Sequence, residues 1–224
     1  MTDDSASTPE MDVGLSRLTA ELLTRFRGTV EPEIVGDVVA DSYDRLATRA
    51  AAAGSLLEST ERLAAERLRA LAHAQDHSTS RVPGVLFLCV HNAGRSQMAL
   101  GWFTSLAGGR AVAWSGGSAP VDEINPAAVA VMAEVGIDIS RQFPKPWTDE
   151  LFDAADVVVT MGCGDACPLV PAKRYEDWEL DDPSGQPVEQ VRQIREQIRA
   201  RVVTLLVELG IGTSSTTPPA GPQT

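Results

Sequence analysis

The apolar run Val85-Leu86-Phe87-Leu88 leads straight into Cys89-Val90-His91-Asn92-Ala93-Gly94-Arg95-Ser96, and a helical pattern follows at once. Four unbroken apolar residues suit a strand covered on both faces, which is the signature of a parallel sheet. The residues downstream keep alternating. Met98, Leu100, Trp102, Phe103 and Leu106 carry a helix that Gly108-Gly109 ends, and Ala111-Val112-Ala113-Trp114 reads as a second strand. Asn125-Pro126 opens a helix with Val129, Met132 and Val135 on one face and Gly136 at its close. Residues 156–161 read as a third strand, and Lys173-Arg174-Tyr175-Glu176 as a fourth. Val191, Ile194, Ile198, Val202, Leu205 and Leu209 form a long final stripe. The expectation for residues 84–210 is therefore an α/β domain: a four-stranded parallel sheet with helices on both faces.

The preceding residues obey a different period. Leu15, Leu18, Leu22 and Phe26 step by three and four until Gly28. Glu31-Pro32-Glu33 suits a helix start, and Val35, Val39, Tyr43 and Leu46 then share a face. Gly54 breaks the pattern, Ser55-Leu56-Leu57-Glu58 fits a capping box, and Leu57, Ala64, Leu68 and Leu71 make a third stripe. Residues 12–76 thus read as a small three-helix bundle with no cluster of chemically active residues. Residues 1–11 and 211–224 read as disordered tails, and 77–83 as a linker.

The formal charge of the 224-residue chain is −12, from 19 basic and 31 acidic residues. Residues 1–80 carry 8 − 14 = −6 of it, so no basic half is hidden. A nucleic-acid reader needs a basic face, so that class is excluded, including a helix-turn-helix role for the bundle. The acidic start lacks a signal peptide's order and no apolar run approaches a membrane span, so a cytoplasmic protein is expected. Three cysteines are too few for a secreted disulfide scaffold, so the expectation is free thiols.

The run from Cys89 to Ser96 has the form C-x5-R-S. Between a buried strand and a helix start, the N–H groups of Val90, His91, Asn92, Ala93, Gly94, Arg95 and Ser96 can wrap one tetrahedral oxyanion. Arg95 can fork onto two of its oxygens. Gly94 is expected to tolerate the angles of so tight a loop. The N–H dipoles, the helix terminus and the guanidinium all favour a Cys89 thiolate, to which Ser96 can donate a hydrogen bond. Cys163 and Cys167 both follow the third strand, in Gly162-Cys163-Gly164-Asp165-Ala166-Cys167. Taken alone, they are open to reading as inert thiols, redox thiols or half of a zinc site with His91. The zinc reading lacks a fourth ligand, and no metal is expected.

These words resemble the low-molecular-weight protein tyrosine phosphatase superfamily, and more closely the thioredoxin-coupled arsenate reductases built on that fold. The resemblance rests on residues 89–99, on Asn125-Pro126 with residues 136–140, and on residues 156–165, and it spans about 84–210. It implies that Cys89 attacks arsenate while Asp182, directly before Pro183, protonates the leaving oxygen, with Asp181 as the nearby rival. It further implies that Cys163 then attacks Cys89 and releases arsenite. Cys167 would next carry the disulfide out to thioredoxin. Mycothiol with a mycoredoxin-like protein is the alternative donor, and a phosphatase the alternative enzyme. Against the phosphatase stands Ser184-Gly185-Gln186, where a tyrosine-specific relative carries ring-walling tyrosines.

The chain departs from the resembled pattern in three places. Three residues, not the common six, separate Cys163 from Cys167. Leu100 replaces a Glu that, with an Asn at the place of Asn92, helps bind potassium in some relatives. Ser115-Gly116-Gly117-Ser118 replaces Ser-Ala-Gly-Thr. His91 is a candidate for tuning Cys89, Lys145 is expected at a solvated rim, and Trp147 or Trp178 could edge the pocket.

Overall fold

The computed structural model describes residues 9–47, 53–162 and 173–212. The chain divides into two compact units, Met1–Asp76 and His77–Thr224. Among the described residues no helix is long and apolar enough to cross a membrane.

The first unit holds α1 (Pro9–Arg25), α2 (Pro32–Ala47) and α3 (Ala53–Gln75). Its core joins Leu18, Leu22 and Phe26 to Val35, Val38 and Val39 and to Ala64, Ala65 and Leu68, as the three stripes require. Two boundaries differ from expectation. Helix α1 already begins at Pro9, because Pro at the first helical position is pre-shaped for a helix and Met11 finds a buried place. Helix α3 begins at Ala53, so Gly54 and Ser55 lie inside it and Ser55 does not open the helix. Gly at a helix interior costs only about 1 kcal/mol against Ala, which a long packed helix absorbs.

The second unit runs β1 (Gly84–Cys89), α4 (Arg95–Ala107), β2 (Val112–Gly117), α5 (Pro126–Ala133), α6 (Asp149–Ala154), β3 (Val157–Met161), β4 (Arg174–Asp177) and α7 (Val188–Glu208). The four strands form one sheet in the order β2-β1-β3-β4, parallel throughout. All six residues of β1 are buried, which is why its sequence shows no alternation. Val85, Phe87 and Cys89 face a core built with α4, α5 and α7, where Phe87 packs edge-on against Phe103 at 5.6 Å. Leu86 and Leu88 point to the other face.

Strand β2 outruns its expected end at Trp114. It carries Ser115-Gly116-Gly117 into the sheet, paired with Phe87, Leu88 and Cys89. These residues are poor strand formers, and space explains them. A Cβ on Gly116 would lie 2.8 Å from the Cα of Trp147, and one on Gly117 would lie 2.6 Å from the carbonyl oxygen of Val90. Helix α6 was not foreseen, since six residues are too few to show a period. Ile211, expected in a tail, is buried in the main core.

Candidate active site

In a doubly wound sheet, ligands collect beyond the carboxyl ends of the strands. Here β1 ends at Cys89, and the chain curls through residues 90–94 before α4 starts at Arg95. Cys89 is 2% exposed. Its Sγ shares a hydrogen bond with Ser96 Oγ at 3.0 Å. Asn92 Nδ2 donates to the same Ser96 oxygen at 2.9 Å.

Asn92 is the loop's internal brace. It is fully buried, and its φ of 49° places it in the left-handed region, the only non-glycine there among the described residues. Asn enters that region more readily than most residues. Its Oδ1 accepts from Gln97 Nε2 and from the Lys145 N–H, both at 3.0 Å. Gly94 takes the unusual angles expected of it, with φ −127° and ψ −88°, outside the ordinary helical and extended regions. It also supplies room. A Cβ there would sit 2.6 Å from Pro183 Cγ.

Arg95 is buried and aims at the residues before Pro183. Its Nη2 donates to Asp182 Oδ2 at 2.7 Å and its Nη1 to the Leu180 carbonyl at 3.2 Å. Asp182 Oδ1 accepts from the Ser184 N–H at 2.9 Å, so the carboxylate is held from both sides. Cys89, His91, Arg95 and Asp182 line one pocket of about 520 Å³, whose outer wall includes Ser184, Gly185 and Gln186. No Phe, Tyr or Trp lines that pocket among the described residues. Asp181 lines a separate depression with Asp177 and Glu179.

Lys145 corrects the expectation of a solvated rim. It is fully buried, with Nζ 3.4 Å from Ser115 Oγ and 4.9 Å from the ring centre of Phe143. Trp147 packs edge-on against Phe152, and Trp178 packs against Phe87, so neither edges the pocket. Cys163 and Cys167 lie outside the described residues. No group of three or more metal-ligating side chains occurs among the described residues.

Asn125 received only a helix-starting role from the sequence. In the structure its backbone N–H donates to the Ala93 carbonyl at 3.0 Å. Its Oδ1 caps α5 by accepting from Ala127 N and Ala128 N, and its Nδ2 donates to the Pro183 carbonyl at 3.4 Å. The Asn-Pro pair is an N-terminal helix signal. Nothing local in it announces the contact to a loop 58 residues away.

Residues 84–213 match the family described as low molecular weight phosphotyrosine protein phosphatase, and residues 15–72 match the protein-tyrosine-phosphatase-like N-terminal domain. A protein of Halobacterium salinarum named putative arsenate reductase is 39% identical over 127 residues, 54% of this chain and 89% of that one. The glutaredoxin arsenate reductase of a Synechocystis species is 40% identical over 128 residues, 56% of this chain and 97% of its own. The solved thioredoxin-dependent arsenate reductase Cg_ArsC1' of Corynebacterium glutamicum superposes with a TM-score of 0.77 at 40% identity. It covers 88% of this chain and 96% of its own.

Proposed function

The chain belongs to the low molecular weight phosphotyrosine protein phosphatase family, and from that premise we propose that it reduces arsenate to arsenite by a relay of three cysteines. The observation that carries this reading is the pocket itself. It offers a nucleophile, an oxyanion loop, a guanidinium and a carboxyl group, yet among the described residues no aromatic wall for a phosphotyrosine ring. A small free oxyanion suits it better than an aryl ester. The relatives named arsenate reductases support the same choice.

Cys89 is the nucleophile. Its sulfur attacks arsenic, an arsenic–oxygen bond breaks, and the oxygen leaves as water with a proton from Asp182. Arg95 and the N–H groups of residues 90–96 hold the charge on the remaining oxygens. Cys163 then attacks the Cys89 sulfur. The sulfur–arsenic electron pair passes to arsenic, which falls from As(V) to As(III), and a Cys89–Cys163 disulfide remains. Cys167 attacks Cys163, freeing Cys89, and the Cys163–Cys167 disulfide is reduced by thioredoxin. Support for the first transfer comes from the sheet register. Met161 pairs directly with Cys89, and Cys163 follows Met161 by two residues. Thiol chemistry of this kind belongs in a reducing cytoplasm.

A low-molecular-weight thiol such as mycothiol, with a glutaredoxin-like partner, is the second reading, favoured by the name of the Synechocystis relative. One arsenate turnover followed by mass spectrometry separates the cases. The relay predicts a Cys163–Cys167 disulfide, and arsenate-dependent NADPH oxidation with thioredoxin and its reductase that Cys163→Ser and Cys167→Ser abolish. A mixed disulfide on Cys89 with full activity in both variants replaces the relay by the second reading. Phosphate-ester cleavage with no arsenite formed overturns both.

A further inference from the structure

We propose that Asn125 is a positioning residue that keeps Asp182 over the oxyanion loop while substrate occupies Arg95. The inference rests on the acid step of the proposed reaction. The segment from Leu180 to Gln186 has three anchors. Arg95 holds the Leu180 carbonyl and the Asp182 carboxylate. Pro183 lies against Gly94. Asn125 Nδ2 reaches the Pro183 carbonyl.

The first anchor is the one substrate binding weakens, because an oxyanion draws on the same guanidinium, two of whose five N–H groups already serve the acid segment. A guanidinium grips an oxyanion with two parallel N–H groups, and Arg95 already commits Nη1 and Nη2 to the acid segment. An arsenate in the pocket therefore competes with Asp182 for the same fork. Once it wins, the packing on Gly94 and the amide of Asn125 are what still hold the acid in place.

Asn125 is built for that task. Its backbone N–H is fixed to Ala93 in the oxyanion loop, and its Oδ1 is committed to two N–H groups of α5. With the oxygen so engaged, the amide can only turn its NH2 toward Pro183. Ser, Thr or Asp would cap α5 about as well. Ser and Thr carry their donor on the capping oxygen itself and Asp has none, so among these residues Asn alone adds donors on a second atom. Capping alone therefore does not account for the choice.

The test is a double-mutant cycle in the full chain, using wild type, Asn125→Ser, Asp182→Asn and the pair. Arsenate turnover at saturation gives kcat, inhibition by inorganic phosphate gives oxyanion affinity, and thermal unfolding checks the cap. Asn125→Ser is expected to unfold near the wild-type temperature and to bind phosphate within about twofold. Its kcat should fall about tenfold or more, whereas in the Asp182→Asn background the same change should cost less than about twofold. Equal losses in both backgrounds, an unchanged kcat, or a loss of phosphate affinity matching the loss of kcat overturns the proposal. If Asn125→Ser does not fold, Asn125→Thr keeps the cap and is read the same way. A wild-type chain that fails to reduce arsenate overturns the function, and the same cycle on p-nitrophenyl phosphate then decides on Asn125. A chain inert toward both overturns both.

Discussion

Arg95 and Asp182 form an ion pair at 2.7 Å, the arginine buried and the aspartate half open to solvent. The guanidinium that the proposed reaction gives to an oxyanion thus already holds a carboxylate. Asp182→Asn removes the charge of that internal competitor and, in the proposed reaction, the acid as well. Phosphate should bind several-fold more tightly, while arsenate turnover falls by about 10²–10⁴. Calorimetry with phosphate and steady-state turnover measure the two effects, and weaker phosphate binding would refute the competition.

Ser96 is shared by the Cys89 sulfur and the Asn92 amide. Ser96→Ala leaves a buried N–H without its acceptor, a cost of about 1–3 kcal/mol. The unfolding temperature should drop, and iodoacetamide should alkylate Cys89 more slowly at neutral pH. Alkylation as fast as wild type would show that the hydroxyl does not tune the sulfur.

Two glycines should respond oppositely to alanine. At Gly117 the new Cβ would meet the Val90 carbonyl at 2.6 Å, a backbone atom that can yield only by moving the oxyanion loop. Gly117→Ala is expected to raise KM for arsenate at least about tenfold, because a displaced loop loses its aimed donors. At Gly36, inside α2, a Cβ meets nothing within 4 Å. Gly36→Ala should stabilise the first unit by about 1 kcal/mol, read from denaturant unfolding.

Glu134 at the end of α5 takes bidentate hydrogen bonds from Arg192 and another from Arg195, both on α7. The Arg192 hydrogen bond, above all, holds its carboxyl below the ordinary value of 4.5, and the Arg195 contact acts in the same direction. A depressed carboxyl stabilises the fold above its unfolded pKa and loses that contribution as pH falls through the folded one. Glu134→Gln should therefore lower the unfolding temperature at pH 7. The gap between variant and wild type should shrink steadily below pH 4.5, and an unchanged gap down to pH 2 would contradict the linkage.

The parts of the site that were legible in sequence are those built from adjacent residues. A strand, an anion loop and a helix follow one another without a gap from Val85 to Leu106, so periodicity and residue type speak for the same place. The parallel sheet was legible for the same reason at its centre, where β1 and β3 carry continuous apolar runs, whereas the edge strand β4, Arg174-Tyr175-Glu176-Asp177, carries none. Asp182 was reached only through resemblance to relatives, since nothing near it in sequence points to Arg95. Lys145 and Asn125 were misjudged because their partners are distant in the chain. A lysine between two prolines looks solvated until Ser115 and Phe143 are folded around it. Asn92 takes a left-handed angle that its place in the sequence does not announce, because its side chain there braces three groups: Ser96, Gln97 and the Lys145 N–H. The ends of α1 and α3 were displaced by packing, which overrides local stop signals.

The register that sets Met161 beside Cys89 has a kinetic consequence. In the proposed relay, the Cys163 thiol, joined two residues beyond that point in sequence, would be a tethered reactant, and short tethers give effective concentrations in the millimolar range. Dissolved thiols must exceed that concentration to intercept the arsenic adduct first. The rate of arsenite release should then be independent of how much external reductant is supplied. The reductant would set only how quickly the enzyme is ready for its next arsenate.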